Sequence, residues 1–297
     1  MRKTLILILV LLMFFCVFLS VALAQSQFAN RLDFPQCADG DEGWGNIWRS
    51  EIFVYNQHKT HEGKELSVRF FNGQGQEIAI EIAVEIDSEK FEGATPFKFV
   101  LPKGGSGLIK TLGRTGFLYS GSCQVESVDA LLDGSLTFIH PFGQTTVEPG
   151  YLTVKAMVLR VEFEKENGNI KKNTGVAFSN LPNDKSSWVR LSLRDDHDNE
   201  VAAKEISSLA PFGHLARFVN EADLFQDFFA SVNKFRGTLE VVAEQDIMAM
   251  SVGFIFNPDG SYNMDNRPAF PPKFPSLDAA LRNIVQIACF FPNNVPV

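Results

Sequence analysis

The runs NTGVAFSN (173–180), WVRLSLRDDHDNEVAAKEI (188–206), LAPFGHLARF (209–218) and FRGTLEVVAEQDIMAMSVGFIF (235–256) decide the fold. Each apolar run is short, alternates with polar residues and ends in Gly, Asn, Asp or Pro. That is the pattern of half-buried strands bounded by turns. Much of it occurs a second time upstream. Leu66, Val68 and Phe70 fall on Val189, Leu191 and Leu193 at a spacing of 123 residues, and NGQGQE (72–77) falls on DDHDNE (195–200). In both places an apolar run follows the turn, which reads as a hairpin. LPKGGS (101–106) falls on LAPFGH (209–214) 108 residues on, setting Ser106 on His214. GSCQVES (121–127) falls on GTLEVVA (237–243) 116 residues on, and that alignment continues until Phe138 meets Phe254. Three matches in one order predict a duplicated domain whose loops have changed length.

The rest of the 297-residue chain is read around this repeat. Residues 1–24 carry Arg2 and Lys3, a long apolar run and then Ala22-Leu23-Ala24, the order of a secretory signal peptide. Cleavage is expected before Gln25. The alternative is a retained anchor, since the run approaches bilayer-spanning length. Residues 25–147 are assigned to a first β-sandwich, 148–259 to a second and 260–297 to a loop-rich tail, with EPGYL (148–152) as the boundary. FPQCADGDEGWGNIW (34–48) reads as a turn-rich lead-in to a first strand, Trp48–Asn56. Leu66–Phe71 and Ile78–Ile86 are expected to form one hairpin. NEADLFQDFFASV (220–232) departs from the repeat and reads as a short helix capped by Asn220. Ser276 would cap another, Leu277–Cys289. The predicted fold class is therefore all-β: two tandem β-sandwich domains, with a short helix in the second and a short C-terminal helix.

Hydrophobic residues at 45% and charged residues at 21% place the chain among globular proteins and exclude disorder. The 28 phenylalanines suit sandwich cores. Loss of Arg2 and Lys3 would take the net charge from −8 to −10, which argues against nucleic acid or anionic lipid as a partner. Contact with a membrane is expected only through the signal segment, if it is uncleaved. Cys37, Cys123 and Cys289 would remain after cleavage. Exported chains favour disulfides, and Cys37 with Cys123, in one domain, is the candidate pair. Cys289 is left free or bridges two chains.

Motifs that carry chemistry are sparse. His58 and His61 with Glu62 offer two metal ligands in H-x-x-H spacing, but no third stands at a telling distance, so a solvated loop is the reading. Asp195, Asp196, Asp198, Asn199 and Glu200 are an oxygen-rich turn, without the glycine and terminal glutamate of a calcium loop. A solvated hairpin turn is expected there. No nucleophile elbow, phosphate-binding loop or H-E-x-x-H helix is present. Trp44, Trp48 and Trp188 could stack on a sugar or serve as core residues, and Trp48, opening a strand, is assigned to the core.

FPQCADG, NTGVAFSN, LRDDHDNEV, LAPFGHLARF and FRGTLEV together resemble a family of secreted bacterial proteins with tandem immunoglobulin-like β-sandwich modules. Its pattern has an FPxFADG-type opening, a DTGVAIAN-type strand and a GH-ARF segment before FRGTL. The resemblance spans roughly Phe34 to Phe256, with Cys37 standing where an aromatic residue is usual. It implies two sandwiches and no assigned activity, and it transfers no catalytic residue.

The expected function is that of an exported, non-enzymatic surface or cell-envelope interaction protein, secreted or periplasmic. No cofactor, metal or catalytic residue is assigned. The partner is an unidentified envelope or extracellular protein or a glycan. A carbohydrate-binding module is the first alternative and a secreted hydrolase the second.

Overall fold

The computed structural model describes residues 30–43, 45–57, 63–128, 130–147, 154–181, 184–267 and 269. The signal segment, Trp44, the His58–His61–Glu62 loop, the EPGYL boundary, the C-terminal helix and Cys289 lie outside the described residues. Among the described residues no helix is long and apolar enough to cross a membrane.

The chain forms two antiparallel β-sandwich domains. The first contains β1 (Arg31–Asp41), β2 (Ile47–Asn56), β3 (Lys64–Phe71), β4 (Glu77–Ile78), β5 (Glu81–Ile86), β6 (Glu89–Ala94), β7 (Phe97–Leu101), β8 (Ser106–Thr111), β9 (Tyr119–Ser127), β10 (Leu132–His140) and β11 (Gly143–Val147). One layer runs β11-β10-β2-β8-β5-β6. The other runs β3-β9-β1, with β4 and β7 sharing the free side of β3. Cys37 of β1 and Cys123 of β9 are joined by a disulfide with Cα atoms 6.0 Å apart, the pair singled out from the sequence.

The second domain contains β12 (Val154–Glu166), β13 (Asn169–Ser179), β14 (Ser187–Asp195), β15 (Glu200–Leu209), β16 (His214–Phe218), a helix α1 (Gln226–Ser231), β17 (Lys234–Phe256) and β18 (Tyr262–Arg267). The order β15-β14-β17-β12 repeats β4-β3-β9-β1. Pairing register agrees residue by residue: Val68 lies opposite Val125 and Phe70 opposite Cys123, as Leu191 lies opposite Val241 and Leu193 opposite Leu239. The duplication read from the sequence is thus a duplication of sheet geometry.

Four local readings are corrected. The turn-rich lead-in is strand β1. Its residues are buried almost continuously, and a bulge between Phe34 and Cys37 interrupts the pairing, so no simple alternation marks it. Ile78–Ile86 is not one strand. β4 pairs with β3, and the chain then crosses to the other layer as β5. At the crossing the buried Thr95 hydroxyl accepts from Ile80 N and donates to Ile78 O, replacing the ladder bonds lost there. The helix is only six residues long and Asn220 does not cap it. Asn220 Oδ1 instead accepts from Asn173 Nδ2 at 2.7 Å, and Val219–Phe225 are turns that bury Leu224 and Phe225. Finally, residues 262–267, expected to be tail, are strand β18, which pairs with β17 and is fixed by Arg267. That buried guanidinium lies 3.2 Å from Glu162 Oε2 and donates to Thr174 Oγ1.

The fifth correction changes which surface is which. Ser50 Oγ accepts from Ala38 N and donates to Ala38 O, and Thr174 Oγ1 does the same with Glu162. Ser50 and Thr174 are therefore equivalent. Opposite Ser50 stands Phe138, but opposite Thr174 stands Gly253. The gapless alignment of Phe138 with Phe254 is off by one residue, and a one-residue slip in a strand reverses its faces. Ala249 and Ser251 turn towards the second domain's own core, while Met250, Val252 and Phe254 turn outwards to the first domain.

Candidate functional site

That outward face explains two of the sequence runs. In NTGVAFSN, Val176 and Phe178 enter the second core, while Gly175, Ala177 and Ser179 point outwards. In HLARF, Ala216 lies beside Ala177 on the same outward face and Phe218 beside Gly175. Small residues on one face let the first domain approach closely. Gly175 makes room within the second domain itself, since a Cβ there would sit 3.2 Å from the Phe254 ring. Ala177, Met250 and Val252 are continuous with the first domain's core, so burial of apolar surface holds the domains together.

Polar contacts fix the joint at one end. His214 Nε2 lies 2.6 Å from Gln36 Oε1, and Gln36 Nε2 donates to Ser120 Oγ. His214 N donates to Gly73 O, Phe71 stacks on Phe212 at 5.1 Å, and Gly75 approaches Pro211 O too closely for any side chain. The turn 72–76 and the loop 209–214, which sequence alone left as polar loops, are used in this joint. His214 is buried, and burial followed by the Arg217 charge pulls its pKa down to about 3. It is neutral at ordinary pH, where the hydrogen bond to Gln36 needs no charge.

A second cluster closes the other end. Trp48 Nε1 donates to Glu42 Oε2 at 2.7 Å, and His140 Nε2 lies 3.0 Å from Glu42 Oε1. His140 Nδ1 accepts the Phe142 N–H, which leaves the ring proton on Nε2, facing the carboxylate. Burial lowers the His140 pKa against the opposing pull of Glu42, so the ring stays neutral. It is packed between Trp48 at 4.6 Å and Tyr262 of β18 at 5.0 Å. Trp48 therefore packs against the core, as expected, but at its edge. The Tyr262 hydroxyl is buried with no hydrogen-bond partner among the described residues, and burial, then the Glu42 charge, push its pKa up, so it remains a donor.

Between the two ends lies an apolar cavity of about 370 Å³. Phe254, Phe256, Met264 and Tyr262 form one wall, Trp48 and Leu118 the other. Leu118 is held there by the ADG of the lead-in strand. The buried Asp39 carboxylate accepts from Gly113 N and from both N and Oγ1 of Thr115, and a side chain at Gly40 would strike Thr115 O and Phe117 O. The loop 113–118 is thus pinned beside the cavity mouth, with Phe117 exposed.

The other sequence candidates fall elsewhere. Asp195, Asp196 and His197 bring ligand atoms within 4.8 Å of one another on the exposed turn between β14 and β15. Asp195 Oδ1, however, accepts from His197 N and Asn199 N, so the carboxylate shapes the hairpin turn. Trp188 is exposed on β14, in a different domain from Trp48. Sequence reading found Trp48 and missed the rest of the cavity. Its walls come from strands far apart in the chain, and only the alternation at Met250, Val252 and Phe254 hinted at it. No protein-family model matches the chain, and no curated protein matches it.

Proposed function

We propose that this chain is an exported, non-catalytic binding protein of the cell surface or envelope, and that its ligand sits in the crevice between two immunoglobulin-like modules. The observation that carries the reading is the cavity itself. It is concave, mainly apolar, built by both domains, and of the size at which small-molecule sites begin. Export is supported by the Cys37–Cys123 bridge, which suits an oxidising compartment, and by the signal-like order of residues 1–24. The bland use of the histidines beside the cavity supports a non-enzymatic role. Nδ1 of His140 is taken by a backbone N–H and its Nε2 faces the Glu42 carboxylate, while His214 bonds an amide, so among the described residues neither is hydrogen-bonded to a serine, threonine or cysteine nucleophile.

The test is titration of the exported protein with the neutral dye N-phenyl-1-naphthylamine. Saturable enhancement of dye fluorescence is expected, weakened at least tenfold by Met264→Trp, which fills the cavity, at unchanged melting temperature. Absence of saturable binding, or equal binding by the filled variant, overturns the reading. Turnover in a screen of esterase, glycosidase and peptidase substrates that is lost with His214→Ala would overturn the non-catalytic part.

A further inference from the structure

The rings that line the apolar cavity form an unbroken series. Trp48 stands 6.3 Å from Tyr262, Tyr262 5.5 Å from Phe254, and Phe254 5.0 Å from Phe218. Phe256 lies 6.0 Å from Tyr262 and 6.3 Å from Phe218, which closes the array. Each end of the series meets an acid that also lines the cavity. Glu42 accepts from the Trp48 indole, and Glu221 Oε1 accepts from Phe218 N at 3.0 Å.

Neither acid has its charge cancelled. The partners of Glu42 are the Trp48 indole and the neutral His140 ring. At the other end the Arg217 guanidinium donates to Asp223 Oδ2 at 2.9 Å and lies 3.5 Å from Glu221 Oε2, so one positive charge serves two carboxylates. Arg217 is the only lysine or arginine among the described residues that line the cavity. Glu42, Glu221 and Asp223 thus face a single guanidinium, and the field at the cavity is negative. An anion would be repelled there. A cation would meet carboxylates at both ends and aromatic rings between them. The Glu42 and Glu221 side chains are 30% and 43% exposed, so a charged group beside either keeps part of its hydration while an apolar body fills the cavity.

We infer that the cavity takes a hydrophobic organic cation, an amine or quaternary ammonium compound whose charge sits beside Glu42 and Trp48 and whose apolar part lies among Phe254, Phe256 and Met264. Glu42 is the better anchor of the two acids, because no cation is paired with it among the described residues and because indole is the strongest aromatic partner for a cation. The inference rests on the binding reading above and adds the ligand's class.

It is tested on the exported protein with octyltrimethylammonium, octyl glucoside and octyl sulfate below their micellar concentrations. Tetramethylammonium is the control without a tail. Displacement of N-phenyl-1-naphthylamine gives the affinities. Octyltrimethylammonium is expected to bind about tenfold more tightly than octyl glucoside, and octyl sulfate more weakly than either. The ratio of the first two is read within each variant, so a general loss of affinity does not count. Glu42→Gln should bring that ratio to about one. Glu221→Gln, whose amide oxygen can still accept from Phe218 N, should lower it about threefold. Equal affinities, a preference for another octyl compound, or a ratio unchanged in Glu42→Gln overturns the cation inference and leaves the binding protein standing. Where Glu42→Gln does not fold, an unchanged ratio in Glu221→Gln overturns it instead. Tetramethylammonium binding as tightly as its octyl counterpart overturns it in favour of a simple surface ion pair. Failure of the dye and all octyl compounds overturns both readings.

Discussion

In the first domain β10 turns Leu136 and Phe138 into that domain's own core. In the second, the end of β17 turns Met250, Val252 and Phe254 away from its own core and towards the first domain. The two strands occupy the same place in the duplicated sheet and carry the same alternation. What differs is one residue of register, taken up within β17 between the part that pairs with β14 and the part that pairs with β13. Alternation reports that a face is buried and is silent about which domain buries it. Here a slip of one position made an external face apolar, and that face became the joint and one wall of the cavity.

The comparison can be broken first on the side of the first domain, which alone among the described residues carries a disulfide. Replacing both Cys37 and Cys123 with Ser should cost about 4 kcal/mol, because the bridge closes a long loop. The expected fall in melting temperature is roughly 10 °C. The same fall should appear in the parent under reductant, and an unchanged melt would show that the bridge contributes nothing to the first sandwich.

Val252→Asp comes next. It would bury a carboxylate with no cationic partner on the outward face, at a cost of about 3 kcal/mol. Because Val252 belongs to the joint, the loss should appear as separate melting of the two domains in calorimetry. A single cooperative transition, merely shifted downwards, would place Val252 in the second core and refute the reversed register.

His214→Asn sharpens the comparison through pH. The folded-state pKa of about 3 lies below the ordinary histidine value, so the unfolded chain binds the proton more readily. Stability from the buried neutral ring is complete above about pH 6.5 and is lost as pH falls towards 3. Urea midpoints measured from pH 7 to pH 4 should decline less steeply in the variant. Parallel declines would remove His214 from the acid response. Smallest of all is Lys98→Ala, at an exposed pair with Glu65 on the first domain's outer surface. Its melting temperature should match the parent within error, since such pairs are screened by water.

What could be read in advance follows from locality. The β3–β9 and β14–β17 pairs announced themselves because each has one wet face and one dry face. The disulfide was visible because only two of the cysteines beyond residue 24 fall in one domain. Strand β1 was hidden by near-continuous burial, a bulge at Pro35–Gln36 and the turn-like Asp39-Gly40, whose real task is to hold the loop 113–118. Strand β18 was hidden because only Tyr262 and Arg267 of its six residues are buried, and one of them is charged. The cavity belongs to neither domain's pattern. It exists where Trp48, Leu118, Phe254 and Tyr262 meet, and nothing in their spacing along the chain brings those four together.

The Cys37–Cys123 bridge also determines how the first domain responds to being pulled. The cysteines are 86 residues apart, and the segment between them includes β2 to β8. Force applied through the chain passes from β1 straight to β9 across the sulfur atoms and bypasses that segment. About 300 Å of contour length, at the extended-chain spacing, is withheld from extension. The first domain would therefore stay short under load until the bridge is reduced.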